Sequence, residues 1–111
     1  MIIYEVELTI AAEFAESYLE WLPTHIEDML QIDGFLSADV EEVLEPIAES
    51  TVVVVRYGVR SELDLFDYFE LQAPLMRQEA IDKFGDHFLV SRRILKRKFT
   101  NSNSTSLQHP H

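Results

Sequence analysis

The apolar positions of this chain change their spacing along its length. Residues 2–10 alternate: Ile2, Tyr4, Val6, Leu8 and Ile10 fall on one side, and Ile3, Glu5, Glu7 and Thr9 on the other. A period of two is that of a β-strand, so the segment predicts a strand with one apolar face and one mixed face. From about Ala12 the spacing turns helical. Phe14, Tyr18, Leu22, Ile26 and Met29 form a stripe, with Glu13, Glu16, Glu20, Glu27 and Asp28 mostly opposite. Pro23 sits inside this segment and lacks the backbone donor a regular helix needs, at a cost of about 3 kcal/mol. A kink or break near Leu19–Pro23 is therefore expected, and Asp33-Gly34 is expected to end the helix with Gly34 in the left-handed region.

Strand-like spacing returns from Phe35 to about Glu45, acidic on one side through Asp39, Glu41 and Glu45. Pro46 to Ser50 reads as a turn. Thr51 to Tyr57 is the most β-branched stretch of the chain, as expected of a central strand covered on both faces. Ser61-Glu62-Leu63-Asp64 is a capped helix start. Leu65, Phe69, Ala73, Met76, Ala80 and Phe84 then form a helical stripe ending at Gly85. Pro74 divides it into two pieces expected to meet near Gln72–Pro74. His87 to about Lys98 completes the series as a last strand. Residues 100–111 are rich in Ser and Asn. Ordering them costs roughly 1–2 kcal/mol per residue in backbone entropy, and burying Leu107 returns only about 2 kcal/mol, so a disordered tail is expected.

The order β-α-β-β-α-β with right-handed crossovers gives a four-stranded antiparallel sheet, strand order 4-1-3-2, with the helices on one face. This is the ferredoxin-like α+β fold, expected as one domain over residues 1–99 followed by the tail 100–111. The sheet face away from the helices then carries Ile3, Glu5 and Glu7 beside Val52, Val54 and Arg56. Valines among charges form neither an ordinary surface nor an ordinary core. A second copy of the chain, related by two-fold symmetry, is the expected cover.

With 111 residues and 47% apolar content the chain is long enough for one core. It has no cysteine, which excludes disulfides, thiolate metal sites and a cysteine nucleophile. The opening residues pass straight into the first strand without a signal-peptide pattern, and no apolar run approaches membrane-spanning length. A cytoplasmic protein is the expectation. The net charge of −11 is uneven: all 20 acidic residues lie at or before Asp86, and five of the nine basic residues are Arg92, Arg93, Lys96, Arg97 and Lys98. An acidic body repels phosphate backbones, which argues against a nucleic-acid partner. The basic run reads either as a phosphate patch or, more simply, as a basic strand pairing with acidic ones.

The step Asp33-Gly34-Phe35 and the proline-divided second helix resemble the dimeric α/β-barrel superfamily, in which two ferredoxin-like sheets pack face to face. More closely, Met1 to Val6, Trp21-Leu22 with His25-Ile26 and Met29-Leu30, Tyr68-Phe69 with Ala73-Pro74, and Ser91-Arg92-Arg93 resemble a family of short bacterial proteins of unknown function. That resemblance spans about residues 1–95 and implies the fold, a homodimer through the sheet face and a pocket between helices and sheet. Its wider relatives include cofactor-free monooxygenases, haem-degrading enzymes, isomerases and ligand-sensing domains. Haem is disfavoured, because the haem-degrading relatives place a histidine on the second helix and residues 61–84 contain none.

His25 is the candidate catalytic residue. It stands one turn past Trp21 near the apolar stripe, where an imidazole can act as a general base; the alternative is a packed histidine bonded to a backbone carbonyl. Tyr4, Trp21, Tyr57 and Arg92 are the candidate pocket residues, with Tyr18 near them. Each has a packing or ion-pairing alternative. Alternation puts Arg92 with Phe88, Val90 and Ile94 toward the helices and Arg93 with Leu89, Ser91 and Leu95 away from them, unless the register slips by one. His109 and His111 have no preorganised ligand set, and no metal or cofactor is expected. Two functions fit: a small homodimeric protein with a pocket for a small molecule, or a cofactor-free monooxygenase or isomerase acting on a small aromatic or carbonyl compound.

Overall fold

A computed structural model describes residues 1–45 and 49–103. Its elements are β1 (Ile2–Ala11), α1 (Ala12–Met29), β2 (Phe35–Glu42), β3 (Ser50–Val59), α2 (Glu62–Leu71), α3 (Ala73–Phe84) and β4 (Phe88–Lys96). The strands form one antiparallel sheet in the order β2-β3-β1-β4, which is the expected 4-1-3-2 order read from the other edge. The expected turn at Pro46–Ser50 lies largely, and the expected disorder of the tail partly, outside the described residues. Among the described residues no helix is long and apolar enough to cross a membrane.

The alternation in β1 determines which side meets the helices. Ile2, Tyr4, Leu8 and Ile10 are buried in the core, joined from β3 by Val53, Val55, Tyr57 and Val59. These residues are paired by register, Tyr4 opposite Tyr57 and Leu8 opposite Val53. From the helices, Tyr18, Leu22 and Met29 of α1 and Leu65, Tyr68, Ala73 and Phe84 of α2 and α3 close over them. Burying such side chains contributes about 1.5–3 kcal/mol each, which is what holds a marginally helical, proline-containing segment in place.

The two prolines behave differently. Pro74 falls in the first turn of α3, where its missing donor has no intrahelical partner anyway, and the chain bends at Gln72 (φ −127°). The second helical region is thus divided as expected, and Ser61 caps α2 by accepting from the Asp64 N–H at 3.2 Å. Pro23 instead lies inside a continuous α1, so the break expected near Leu19–Pro23 is absent. Both Leu19 and Pro23 face solvent. The Leu19 carbonyl that loses its helical donor can therefore be hydrated, while Tyr18, Leu22 and Met29 hold the other side against the sheet. The helix also ends earlier than expected, at Met29 with Leu30 as its cap. Gly34 does take a left-handed φ of 88°, but in the turn leading into β2, where its carbonyl accepts from the Arg60 N–H at 2.8 Å.

On the outer face of the sheet the charges pair across all four strands. Glu41 of β2 meets Arg56 of β3. Arg56 donates to Glu5 of β1 at 2.9 Å, and Arg93 of β4 donates to the other Glu5 oxygen at 2.5 Å. Glu5 is only 7% exposed, lying under the two guanidinium groups. The Arg93 hydrogen bond, opposed by burial and helped by Arg56, holds its carboxyl below the ordinary carboxylate range. Its contribution to stability is present above the ordinary pKa of 4.5 and is lost as pH falls through the lower folded value. At Arg93 the basic run thus pairs with an acidic strand, the simpler of its two readings.

Candidate functional site

Helices and sheet do not pack solid against each other. Between them lies a cavity of about 350 Å³ whose wall includes residues of all three helices and of β1, β3 and β4. All four tyrosines of the chain line it: Tyr4 from β1, Tyr18 from α1, Tyr57 from β3 and Tyr68 from α2. Tyr4 is the hub of this aromatic wall. Its ring centroid is 6.0 Å from Tyr57 in a stacked arrangement, 5.9 Å from Tyr68, and 5.3 Å edge-on from Phe69. Valines, leucines and methionines complete the apolar surface.

Burial raises the hydroxyl pKa of Tyr18 to about 12. It raises those of Tyr57 and Tyr68 as well, with neighbouring tyrosines adding to the shift. These three phenols are therefore protonated at physiological pH. They can donate a hydrogen bond to an occupant but cannot remove a proton from it.

His25 also lines the cavity. Its ring stacks on Trp21 at 4.7 Å and 27°. Its Nδ1 is buried without a hydrogen-bond partner, so the carbonyl-bonded packing alternative does not describe that nitrogen. Burial lowers its pKa below the ordinary 6.5, with Asp28 opposing. A neutral imidazole at neutral pH is a competent proton acceptor. Because protonation is disfavoured in the folded state, the sign for stability follows. The contribution of this group is present above the ordinary pKa of 6.5 and is lost as pH falls from there through the lower folded value. An NMR titration of the imidazole is expected to give a midpoint below 6.5, and a midpoint at or above it would contradict the burial.

Of the residues singled out from the sequence, Tyr4, Tyr57, His25 and Arg92 are thus brought to one cavity. Trp21 is not part of its wall. It stands behind His25, edge-on to Tyr18 at 5.5 Å and to Phe84 at 5.5 Å, where it fixes the imidazole. Two further polar lining residues were not singled out, Arg77 of α3 and Tyr68. Arg77 lies four residues after Ala73 and three before Ala80, so it sits on the helical stripe by spacing. A pattern that counts only apolar residues passes over it. The Arg77 guanidinium lies over the Phe69 ring at 5.9 Å and donates weakly to the Tyr4 hydroxyl at 3.5 Å, while its Nε is buried without a partner. No acidic residue lines the cavity. Among the described residues no group of three His, Cys, Asp or Glu could hold a metal ion.

A four-stranded antiparallel sheet with its helices on one face is a ferredoxin-like α+β fold. The chain belongs to the family described as Domain of unknown function (DUF4286), whose profile matches residues 1–98. No curated protein matches it. Among solved structures it is similar to a protein from Deinococcus radiodurans provisionally named an antibiotic biosynthesis monooxygenase, at 16% identity over 93% of this chain and 100% of that one (TM-score 0.67). It is also similar to a dimeric ferredoxin-like protein from an uncultured marine organism, at 11% identity over 93% and 100% of the two chains (TM-score 0.68). A de novo designed protein, Foldit4, matches too, at 15% identity over 87% and 98% (TM-score 0.57). That a designed chain shares the fold underlines that the fold alone carries no activity.

Proposed function

We propose that this protein is a homodimer, folded from residues 1–99, that binds a small molecule between its helices and its sheet, with the cytoplasm as its location. The observation that carries this reading is the cavity. Protein interiors are normally close-packed with few voids larger than a water molecule. Ligand sites are apolar clefts of roughly 300–1,000 Å³ with a few convergent polar groups. Here about 350 Å³ is lined by apolar side chains together with every tyrosine of the chain, His25, Arg77 and Arg92. The homodimer is supported by the outer sheet face, where four charges are already paired within one chain, and by the dimeric ferredoxin-like protein of similar fold. Charges that arrive paired lose less on burial than lone ones.

The test is a panel of one- and two-ring aromatic compounds screened by thermal shift, with Ala80→Leu as the control. Ala80 lines the cavity and is 7% exposed, so the larger side chain projects into empty space and should leave the melting temperature unchanged or raise it. At least one compound is expected to raise the melting temperature of the native protein, and Ala80→Leu should abolish the shift. A panel without effect, or shifts that survive the substitution, would count against the cavity as a binding site.

A second reading, a cofactor-free monooxygenase or isomerase acting on a small aromatic or carbonyl compound, is supported by His25. A neutral imidazole with an unpaired buried nitrogen is what a general base requires. The cavity supplies no carboxylate to orient it, which is why binding is the preferred reading. His25→Gln separates the two, because Gln keeps a hydrogen-bonding group but cannot act as a base near neutral pH. If the protein only binds, affinity for a panel compound should change by less than about tenfold and no turnover should be seen in either form. Turnover or oxygen consumption by the native protein that His25→Gln abolishes would establish the enzyme.

A further inference from the structure

Resting on the reading of the cavity as a small-molecule site, we propose that its occupant is a small aromatic carboxylate, the ring lying against the tyrosines and the carboxylate between Arg77 and Arg92. The charge distribution is the starting point. The chain carries 20 acidic residues and a net charge of −11, yet none of those acids lines the cavity, whereas two of its nine basic residues do. All 20 acidic residues lie among the described ones. Arg56, Arg60 and Arg93 each have a carboxylate within 3.4 Å. Arg77, Arg92 and Arg97 form no ion pair among the described residues, and of these three Arg77 and Arg92 line the cavity. In an acidic protein, two unneutralised guanidinium groups at one apolar cavity define a place for an anion that the chain itself does not supply.

The geometry of each arginine agrees. Arg77 is held from outside by the Phe69 ring, its Tyr4 contact is long at 3.5 Å, and its buried Nε has no acceptor. Arg92 stands on the edge strand β4, beside Val6 in the register of β1, with Phe88, Val90 and Ile94 on its own side of the strand. It lines the cavity together with Tyr18 and Tyr68, on the inner side of the sheet. A second, more open hollow shares Tyr4, Arg77 and Arg92 with the cavity, so the arginines stand where the cavity meets the β4 edge. A carboxylate there keeps partial hydration while the ring occupies the dry end. Planar guanidinium groups match a carboxylate in shape and charge, and the protonated tyrosines add neutral donors beside an aromatic surface.

Isothermal titration with 2-naphthoate and its uncharged isostere 2-naphthamide tests this. The native protein is expected to bind the acid at least about tenfold more tightly than the amide, since charge-assisted hydrogen bonds are roughly twice as strong as neutral ones. Arg92→Gln, at an exposed position without an ion pair among the described residues, should erase the preference. Arg77→Gln should reduce it, with the melting temperature monitoring the fold. Equal affinity for acid and amide, or a preference that survives both substitutions, would overturn the carboxylate assignment and leave the cavity reading standing. Naphthoate binding that persists in Ala80→Leu would place the ligand elsewhere and overturn it as well. Binding of neither compound would overturn the assignment, while the cavity reading would stand or fall on the wider aromatic panel.

Discussion

Val54→Lys is expected to convert the protein to a monomer at micromolar concentration, measured by sedimentation velocity beside a dimeric native protein. Val54 lies on the outer face of β3 and is 9% exposed within a single chain. Its register partners are Glu7 on β1 and Glu41 on β2. A lysine there has two carboxylates within cross-strand reach, so a single chain can fold around it with the aliphatic stem on the sheet and the ammonium group in solvent. The proposed two-fold interface on the same face would remove that solvent. Each copy then brings a cation to the contact, and an ion taken out of water without full compensation costs several kcal/mol. At about 1.4 kcal/mol per factor of ten, the dimer should weaken by a hundredfold or more. A native protein that sediments as a monomer, or a variant that remains as dimeric as its parent, would refute the sheet-face dimer.

Gly34→Ala is expected to lower the melting temperature more than any other single-methyl addition to the chain. Two costs coincide. The φ of 88° at Gly34 is one that a residue with a Cβ adopts only at about 1–3 kcal/mol. An added Cβ would also stand 2.5 Å from both Cβ and Cγ of Asp64, a separation that neither group tolerates. Asp64 cannot withdraw freely. Its carboxylate accepts from Arg60 at 2.8 Å and from the Ser61 hydroxyl at 2.8 Å, and these bonds hold its pKa below the ordinary value. Moving it disturbs the start of α2 and the clamp of Arg60 onto the turn before β2. Thermal denaturation measures the outcome, and a loss of under about 1 kcal/mol would show that the turn adapts more freely than its hydrogen bonds suggest. Gly85→Ala is the internal comparison. Its φ of 59° is also positive, but an added Cβ there meets nothing within 4 Å, so only the backbone cost should appear.

The elements were legible because a period of two or of 3.6 is a local property. Alternation alone assigned Tyr4 and Tyr57 to the helix side and Glu5, Val54 and Arg56 to the other, and the register bears this out. It also assigned Arg92 and Arg93 to opposite faces once the register was known. Pro74 and Pro23 mark where local reading stops. Both remove a donor, but the consequence depends on whether the freed carbonyl lies at a helix start or faces water, and on how firmly the opposite side of the helix is held. Tyr68 and Arg77 were accessible in principle from helical spacing, Tyr68 three residues after Leu65 and Arg77 four after Ala73. Nothing in the spacing said that the space beside them would be empty.

The order and type of the elements, the apolar face of each strand and the acidic balance of the chain were therefore determined by the sequence alone, because each depends on neighbours a few positions apart. The tertiary structure decided the site. Tyr4 and Arg92 are 88 positions apart and meet at one cavity only because β1 and β4 pair in a single register. The cavity exists because side chains from six elements, summed across the interface, fall short of filling it. Volume at an interface is a sum over distant residues, and no period along the chain records it.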